Sequence, residues 1–251
     1  MLSVLICARN EISNLPDCIE SAKFADEIVV VDDYSDDGSK ELAEKMGCKV
    51  FSRHMAGDWS CQRNFGIAQC QGNWIFVLDA DERISPQLSE AISRVSQDKS
   101  LSKTFWVQRH NRFHFNKATH GVLRPDWVLR LFPKQKGHYE GRVHEKLIID
   151  LPQERLPGAL YHYTYDNWDA YFGKFNRYTQ LAARQQFERG KRANFWFDIV
   201  LRPWLAFFKM YILKRGFLDG KLGFILSVNH FFYTMTKYVR LYYLGRHNGK
   251  L

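Results

Sequence analysis

The chain has 251 residues, 45% of them hydrophobic, enough to bury a full core as one large domain or a domain with an appendage. Its five cysteines (Cys7, Cys18, Cys48, Cys61, Cys70) are odd in number and form no C-x-x-C pair, which argues against a disulfide framework or a zinc ribbon and suits a reducing compartment. The net charge of +9 is unevenly spread: residues 1–100 carry 10 Lys and Arg against 17 Asp and Glu, whereas residues 170–251 carry 15 against 3. An acidic half and a basic half imply two separate tasks.

The first hundred residues alternate strand and helix signals. SVLICA (3–8) reads as a strand, and Asn14 stands where it can cap a helix over LPDCIESAKFA (15–25), with Pro16 in the first turn. EIVVVDD (27–33) is a β-branched run suited to burial on both faces, followed by the turn YSDDG and the helix SKELAEKM (39–46). CKVFS (48–52) is a short third strand, DWSCQRNFGIAQC (58–70) a helix, and NWIFVLD (73–79) a fourth strand. SPQLSEAISRVSQ (85–97) is a helix with Ser85 and Pro86 in cap and first-turn positions. This alternation predicts βαβ units and a mostly parallel sheet. Over residues 101–165, TFWVQRHNRF and VLRLF read as strands joined by His- and Gly-containing loops. From about Trp168 the pattern is helical, basic and aromatic, punctuated by Pro203, Gly216 and Gly220. No stretch reaches the ~18 uninterrupted apolar residues of a membrane span, and the N-terminal apolar run is too short for a signal peptide. The expectation is a cytoplasmic chain with at most peripheral membrane attachment.

In an open parallel sheet, ligands bind beyond the carboxyl ends of the strands. Three polar clusters fall at such ends: Ala8-Arg9-Asn10-Glu11, Asp32-Asp33 and Asp79-Ala80-Asp81. A single D-x-D is most often a solvated turn, but acidic clusters at successive strand ends repel one another unless a cation relieves them. All-oxygen ligands favour Mg²⁺ or Mn²⁺, held by one or two carboxylates plus substrate phosphates. Asp33, Ser35, Asp37, Gly38 and Glu44 also match the spacing of an EF-hand loop, yet a strand leads into them and Lys40 sits where that motif needs an apolar residue. Neither G-x-x-x-x-G-K-[ST] nor G-x-G-x-x-G occurs, which speaks against P-loop NTPases and dinucleotide oxidoreductases. The glycine-free loop CARNEISN also weakens a sugar nucleotidyltransferase.

SVLICARNE, VVVDDYSDDG and QRNFGIAQCQGNWIFVLDADE, in that order and spacing, resemble the nucleotide-sugar domain of family 2 glycosyltransferases, which has the GT-A fold. VLRLFPKQKGHYEGRVHEKL resembles the acceptor-side segment of a bacterial branch that includes lipopolysaccharide-core glucosyltransferases. The resemblance implies that Ala8, Arg9 and Glu11 line the nucleotide pocket and that Asp32 or Asp33 accepts the uracil N3–H. Arg63 would face the diphosphate, Asp79 would contact the ribose or metal, and Asp81 would bind the metal. Glu145 matches the family's base position, with Asp126 and Glu140 in reserve; its plain alternative is a surface Glu paired with Lys146 or Arg142. His144 and His162, each more often structural, are candidates to complete the metal's coordination. Arg124 and Arg130 are candidates to contact the diphosphate or an anionic acceptor, or are simply paired at the surface. The family's processive synthases carry Q-x-x-R-W, which is missing here, so transfer of a single sugar is expected.

The expected organisation is an α/β GT-A domain over 1–165, nucleotide-sugar binding in 1–100 and acceptor-facing in 101–165, followed by a basic, aromatic-rich helical region over 166–251. The implied function is inverting, divalent-metal-dependent transfer of one sugar from a UDP-sugar to a lipid-linked or anionic saccharide, such as lipopolysaccharide inner core, at an anionic membrane surface. Glucose as that sugar follows from the branch resemblance alone. No nucleic-acid partner is expected despite a pI near 9.3, because the N-terminal half is acidic and no nucleic-acid motif occurs. The competing readings are a non-enzymatic membrane-surface module and a sugar nucleotidyltransferase on a similar fold.

Overall fold

A computed structural model describes residues 1–98, 102–113, 119–141, 145–165, 167–247 and 249. The chain divides into two compact units, one of residues 1–110 with 126–162 and one of residues 111–125 with 163–251.

In the first unit, β1 (Leu2–Ala8), β2 (Glu27–Asp32), β3 (Lys49–Ser52) and β4 (Trp74–Asp79) lie parallel in the order β3-β2-β1-β4. They alternate with α1 (Leu15–Ala22), α2 (Ser39–Lys45) and α3 (Trp59–Gln69), and α4 (Pro86–Gln97) follows. The apolar runs are buried on both faces, which is why they read as continuous rather than alternating. Val4, Ile6, Phe76 and Leu78 pack with Leu15, Ile19, Leu88 and Ile92 on one face. Leu5, Val29, Val31, Ile75 and Val77 pack with Ile67 of α3 on the other. Gly66 lets α3 approach the sheet: a Cβ there would lie 2.3 Å from Leu5 Cδ1 and 2.9 Å from Val31 Cγ2. Ser85 caps α4 by accepting a hydrogen bond from the Leu88 N–H at 3.3 Å, as its position in the sequence predicts.

Beyond β4 the sheet continues through β7 (Asp126–Pro133), β6 (Thr104–Phe113), β10 (Gln153–Tyr165) and β5 (Glu82–Ile84), with β4–β7, β7–β6 and β10–β5 antiparallel. A separate hairpin joins β8 (His138–Glu140) to β9 (Lys146–Ile148). The strands β5, β8, β9 and β10 are not visible in the sequence pattern. Three of them are only three residues long, and β10 carries Pro157 and Gly158, which read as a break. Gly158 has φ +96°, and a Cβ there would come within 2.4 Å of the Leu88 backbone nitrogen.

The second unit holds α5 (Trp168–Glu188), a π-helical segment (Phe195–Leu201), α6 (Arg202–Phe208), a second π-helical turn (Lys209–Leu213) and α7 (Gly220–Arg246). Phe113, Leu123, Tyr171, Leu222 and Leu226 form one core, and Ala183, Leu241 and Leu244 another. The stretch FWFDIVLRPWLAFFKMYILKRG, which reads as one helix, changes hydrogen-bond register around α6. Pro203, which has no N–H to donate, sits in the first turn of α6. Among the described residues, no helix is long and apolar enough to cross a membrane.

Candidate active site

The parallel register aligns the ends of three strands. Ala8 stands beside Asp32, and Cys7 beside Asp79. The three acidic clusters therefore lie along one rim of the first unit. The loop after β1 is laced to the loop after β2. Asn10 N–H donates to Ser35 Oγ at 2.9 Å, Glu11 N–H to Ser39 Oγ at 2.9 Å, and Ile12 N–H to Asp37 Oδ2 at 3.0 Å. The EF-hand-like spacing is thus a clamp between two loops. Asn14 Nδ2 donates to Glu11 Oε2 at 2.9 Å, and no side-chain cap closes α1 from Asn14.

Asp32 and Asp33 are both buried, at 1% and 5% exposure, but they face different partners. Asp32 accepts from the Ser35 N–H at 3.1 Å and from its hydroxyl. Asp33 Oδ1 accepts from the Met55 N–H at 3.0 Å, while Oδ2 lies 3.3 Å from Nη1 of the exposed Arg9. The Asp33 N–H donates to the Ala8 carbonyl at 2.9 Å, holding the two loops together. Beside them the Tyr34 and His54 rings stand 4.0 Å apart, and Tyr34 takes a left-handed φ of +50°.

At the end of β4 the carboxylates meet guanidinium groups. Asp79 Oδ1 accepts from Arg63 Nη2 at 2.8 Å, and Oδ2 from Arg130 Nη2 at 2.5 Å. Burial pushes the Asp79 carboxyl up, but the Arg130 and Arg63 charges outweigh it and hold it well below the usual carboxylate range. Arg63 Nη2 also lies 3.1 Å from Glu145 Oε1, and its guanidinium sits 5.0 Å from the Tyr139 ring centroid. Arg130, itself buried, donates to the fully buried Glu82 at 2.8 Å, and Arg109 Nη1 stands 3.6 Å from the same carboxylate. Burial raises the Glu82 pKa, assisted by the Asp79 charge and opposed by Arg130. Glu82 also accepts the Asp79 N–H at 3.0 Å, tightening the Asp-Ala-Asp-Glu turn.

Asp81 points to a different neighbour. Its Oδ2 lies 3.2 Å from His162 Nε2, because β10 pairs His162 opposite Glu82 across from β5. Burial lowers the His162 pKa, but the hydrogen bond and charge of Asp81, with Glu82 behind it, raise it overall. These two side chains offer one oxygen and one nitrogen donor at a single place. No group of three metal-ligating side chains occurs among the described residues, and both Asp79 oxygens are engaged by arginines. Two protein ligands suit a divalent ion whose remaining positions are filled by phosphate oxygens and water.

The structure therefore brings Arg63, Asp79, Asp81, Arg130, Glu145 and His162 into one constellation, with Arg9, Asp32 and Asp33 along the same rim. Asp126 is engaged by Arg109 through contacts of 2.7 and 3.1 Å, and Glu140 is exposed beside His138. Arg124 belongs to the second unit, where its Nη1 donates to the Gly121 carbonyl at 3.1 Å. His144 lies outside the described residues. Sequence reasoning missed Glu82 and Arg109; the only signal for Glu82 is its place in the acidic string after β4.

The sequence model of glycosyl transferase family 2 matches residues 3–144. A lipopolysaccharide core biosynthesis glycosyltransferase of Rhizobium meliloti is 30% identical to this chain, over 96% of it and 92% of the relative. An uncharacterized glycosyltransferase of Rickettsia conorii is 27% identical, over 96% of this chain and 88% of the relative. Among solved structures, residues 1–349 of S. aureus TarS align at a TM-score of 0.46 and 12% identity, covering 98% of this chain and 91% of that one. Glucosyl-3-phosphoglycerate synthase from Mycobacterium tuberculosis, solved with Mn²⁺, UDP and glucosyl-3-phosphoglycerate, aligns at a TM-score of 0.42 and 15% identity, covering 64% and 71%. The chain belongs to glycosyl transferase family 2. It is a glycosyltransferase whose α/β catalytic fold is of the GT-A type.

Proposed function

We propose that this enzyme transfers one sugar, glucose in the first instance, from a UDP-sugar to a lipid-linked saccharide of the lipopolysaccharide-core kind, with inversion at the anomeric carbon. The observation that carries the reading is the Arg63–Asp79–Arg130 group, with Glu145 on one side and Asp81 and His162 on the other. The lipopolysaccharide acceptor rests on the Rhizobium relative, and the UDP donor on the sequence resemblance.

Asp32 or Asp33 would receive the uracil N3–H; both are buried at the rim, Asp32 held by Ser35 and Asp33 by the Met55 N–H and Arg9. Asp79, kept ionised by two guanidinium groups, would accept a ribose hydroxyl. Asp81 and His162 would hold the divalent ion, which supplies charge neutralisation for the departing diphosphate. Arg63 and Arg130 add fixed positive charge at the same place. Glu145 would take the proton of the acceptor hydroxyl as its oxygen bonds to the anomeric carbon and the bond to UDP breaks on the opposite face. A single displacement needs no protein nucleophile.

The basic, aromatic second unit would bring the enzyme to the anionic cytoplasmic face of a membrane, where a lipid-linked acceptor resides. Trp196, Trp204, Leu205, Phe208 and Leu213 are each more than half exposed, an unusual cost for a surface with no apolar partner.

UDP release is measured across a panel of UDP-sugars with and without Mn²⁺, and the product's anomeric configuration is read by NMR. Metal-stimulated release with one preferred UDP-sugar and an inverted product is expected. Release that ignores the metal, or a retained configuration, overturns the mechanism.

A further inference from the structure

Over residues 195–213 the chain runs on as a helix wound first as π, then as α, then as π again. The wide turns show in their hydrogen bonds: the Arg202 N–H donates to the Phe197 carbonyl, and the Lys214 N–H to the Lys209 carbonyl at 2.8 Å, each reaching back five residues. Exposure along this helix repeats every four residues. The pairs at 196–197, 200–201, 204–205, 208–209 and 212–213 are exposed, and the pairs between them are buried or half-buried. Every exposed member is apolar except Lys209. The inner pairs lie against α7: Arg202 sits 5.0 Å from the Tyr238 ring, and Phe207 and Tyr211 lie 6.1 and 5.6 Å from that of Phe224.

A helix wound only as α could not hold this strip. At 3.6 residues per turn, residues four apart stand about 40° out of line, so from Trp196 to Ile212 the strip would turn through about 160°. A π turn holds more than four residues and drifts the other way, so alternating the two windings brings each fourth residue back into line. The outcome is a straight apolar strip on the order of 25 Å long. A coiled-coil seam repeats every 3.5 residues and winds about its partner, whereas a straight strip fits a flat surface. Charge selects the surface. Residues 189–221 hold eight Lys and Arg against two acids, Asp198 and Asp219. Both acids are spent inside the unit, Asp198 on Arg202 at 2.8 Å and Asp219 on the Thr119 and His120 N–H groups at 3.1 and 2.9 Å. Two copies meeting on this strip would set like charge against like, while anionic headgroups answer it.

We propose that the helix over 195–213 lies flat in the interface of an anionic bilayer as an in-plane anchor, its exposed strip seated at the boundary of headgroups and acyl chains. Lys209, the charged member of the strip, has a stem long enough to carry its ammonium back to the headgroups. The proposal rests on the membrane-face reading above and adds to it the anchoring element and its orientation.

The full chain is sedimented with vesicles of phosphatidylcholine and phosphatidylglycerol. Leu205→Gln with Leu213→Gln should weaken binding by on the order of tenfold or more, while Leu181→Gln, at an exposed position of α5, leaves it within about twofold. If the pair loses its helical signal in circular dichroism, Leu213→Gln alone, at 75% exposure, makes the same comparison. Orientation is read by fluorine NMR of the chain labelled with fluorotryptophan, against lipid spin-labelled near the top of its acyl chain. Trp196, Trp204 and the label introduced by Ile212→Trp should broaden alike, while Trp74, buried in the first unit, keeps its width. A broadened Trp204 with sharp signals at 196 and 212 overturns the flat strip. Undiminished binding of the Gln variants, or an equal loss in Leu181→Gln, overturns the anchor while membrane attachment stands. Failure of the unmodified chain to bind overturns both. A lipid-free dimer that Leu205→Gln dissociates assigns the strip to a second copy and overturns the bilayer.

Discussion

Glu145 Oε1 stands 3.1 Å from Arg63 Nη2, the nitrogen that also lies 2.8 Å from Asp79 Oδ1. One guanidinium thus ties the proposed base to the proposed donor site, and α3 fixes its position through the close packing that Gly66 allows.

The first prediction separates those two roles. Glu145→Gln keeps the side-chain shape but removes proton acceptance, so turnover should fall about 10²–10⁴-fold with donor affinity little changed. Arg63→Met should raise the donor KM as well as lower turnover, since it strips positive charge from the diphosphate position. Steady-state kinetics together with calorimetry of UDP binding checks both. Parallel loss of UDP binding in Glu145→Gln would place that residue on the donor side.

Asp81→Asn removes a charge from the proposed metal position without changing volume. Metal-stimulated UDP release should disappear and UDP-sugar binding weaken, while the thermal melting point stays close to that of the unmodified chain. Near-normal turnover in saturating Mn²⁺ would rule out Asp81 as a ligand.

Arg130 and Glu82 make a third case, decided by burial. Both are almost wholly enclosed, at 4% and 0% exposure, so Arg130→Met leaves a buried carboxylate with one fewer partner. A loss of about 3–5 kcal/mol in urea unfolding is expected, partly recovered when Glu82→Leu is added. Additive losses in the double variant would argue against the pairing.

The fourth prediction concerns acid. His230 has its folded-state pKa lowered from 6.5 to about 4, so folding favours the neutral ring. The stability this supports is fully present above about 6.5 and is lost as pH falls toward about 4, by on the order of 3 kcal/mol for a shift of that size. His230→Phe should flatten the melting-temperature profile across that window. A profile as steep in the variant would assign the acid sensitivity to other groups.

Much of the nucleotide half was legible from residues alone. Runs such as EIVVVDD and NWIFVLD have unbroken apolar centres, at 28–31 and 74–78, because their strands are covered on both faces, and such runs alternating with helical segments imply parallel βαβ order. The acidic strand ends followed from that order, since parallel strands place their carboxyl ends along one rim. Which carboxylate meets which partner was not legible. Asp81 reaches His162 across 81 positions only because β10 runs antiparallel to β5, and Glu82 finds Arg130 and Arg109 only because β7 and β6 carry them in. Composition and spacing set which segments become strands, helices and charged ends, because those are local preferences. Strand neighbours and register are chosen by burial summed over the whole fold, so only the tertiary structure decided that Asp79 lies between two arginines while Asp81 faces a histidine.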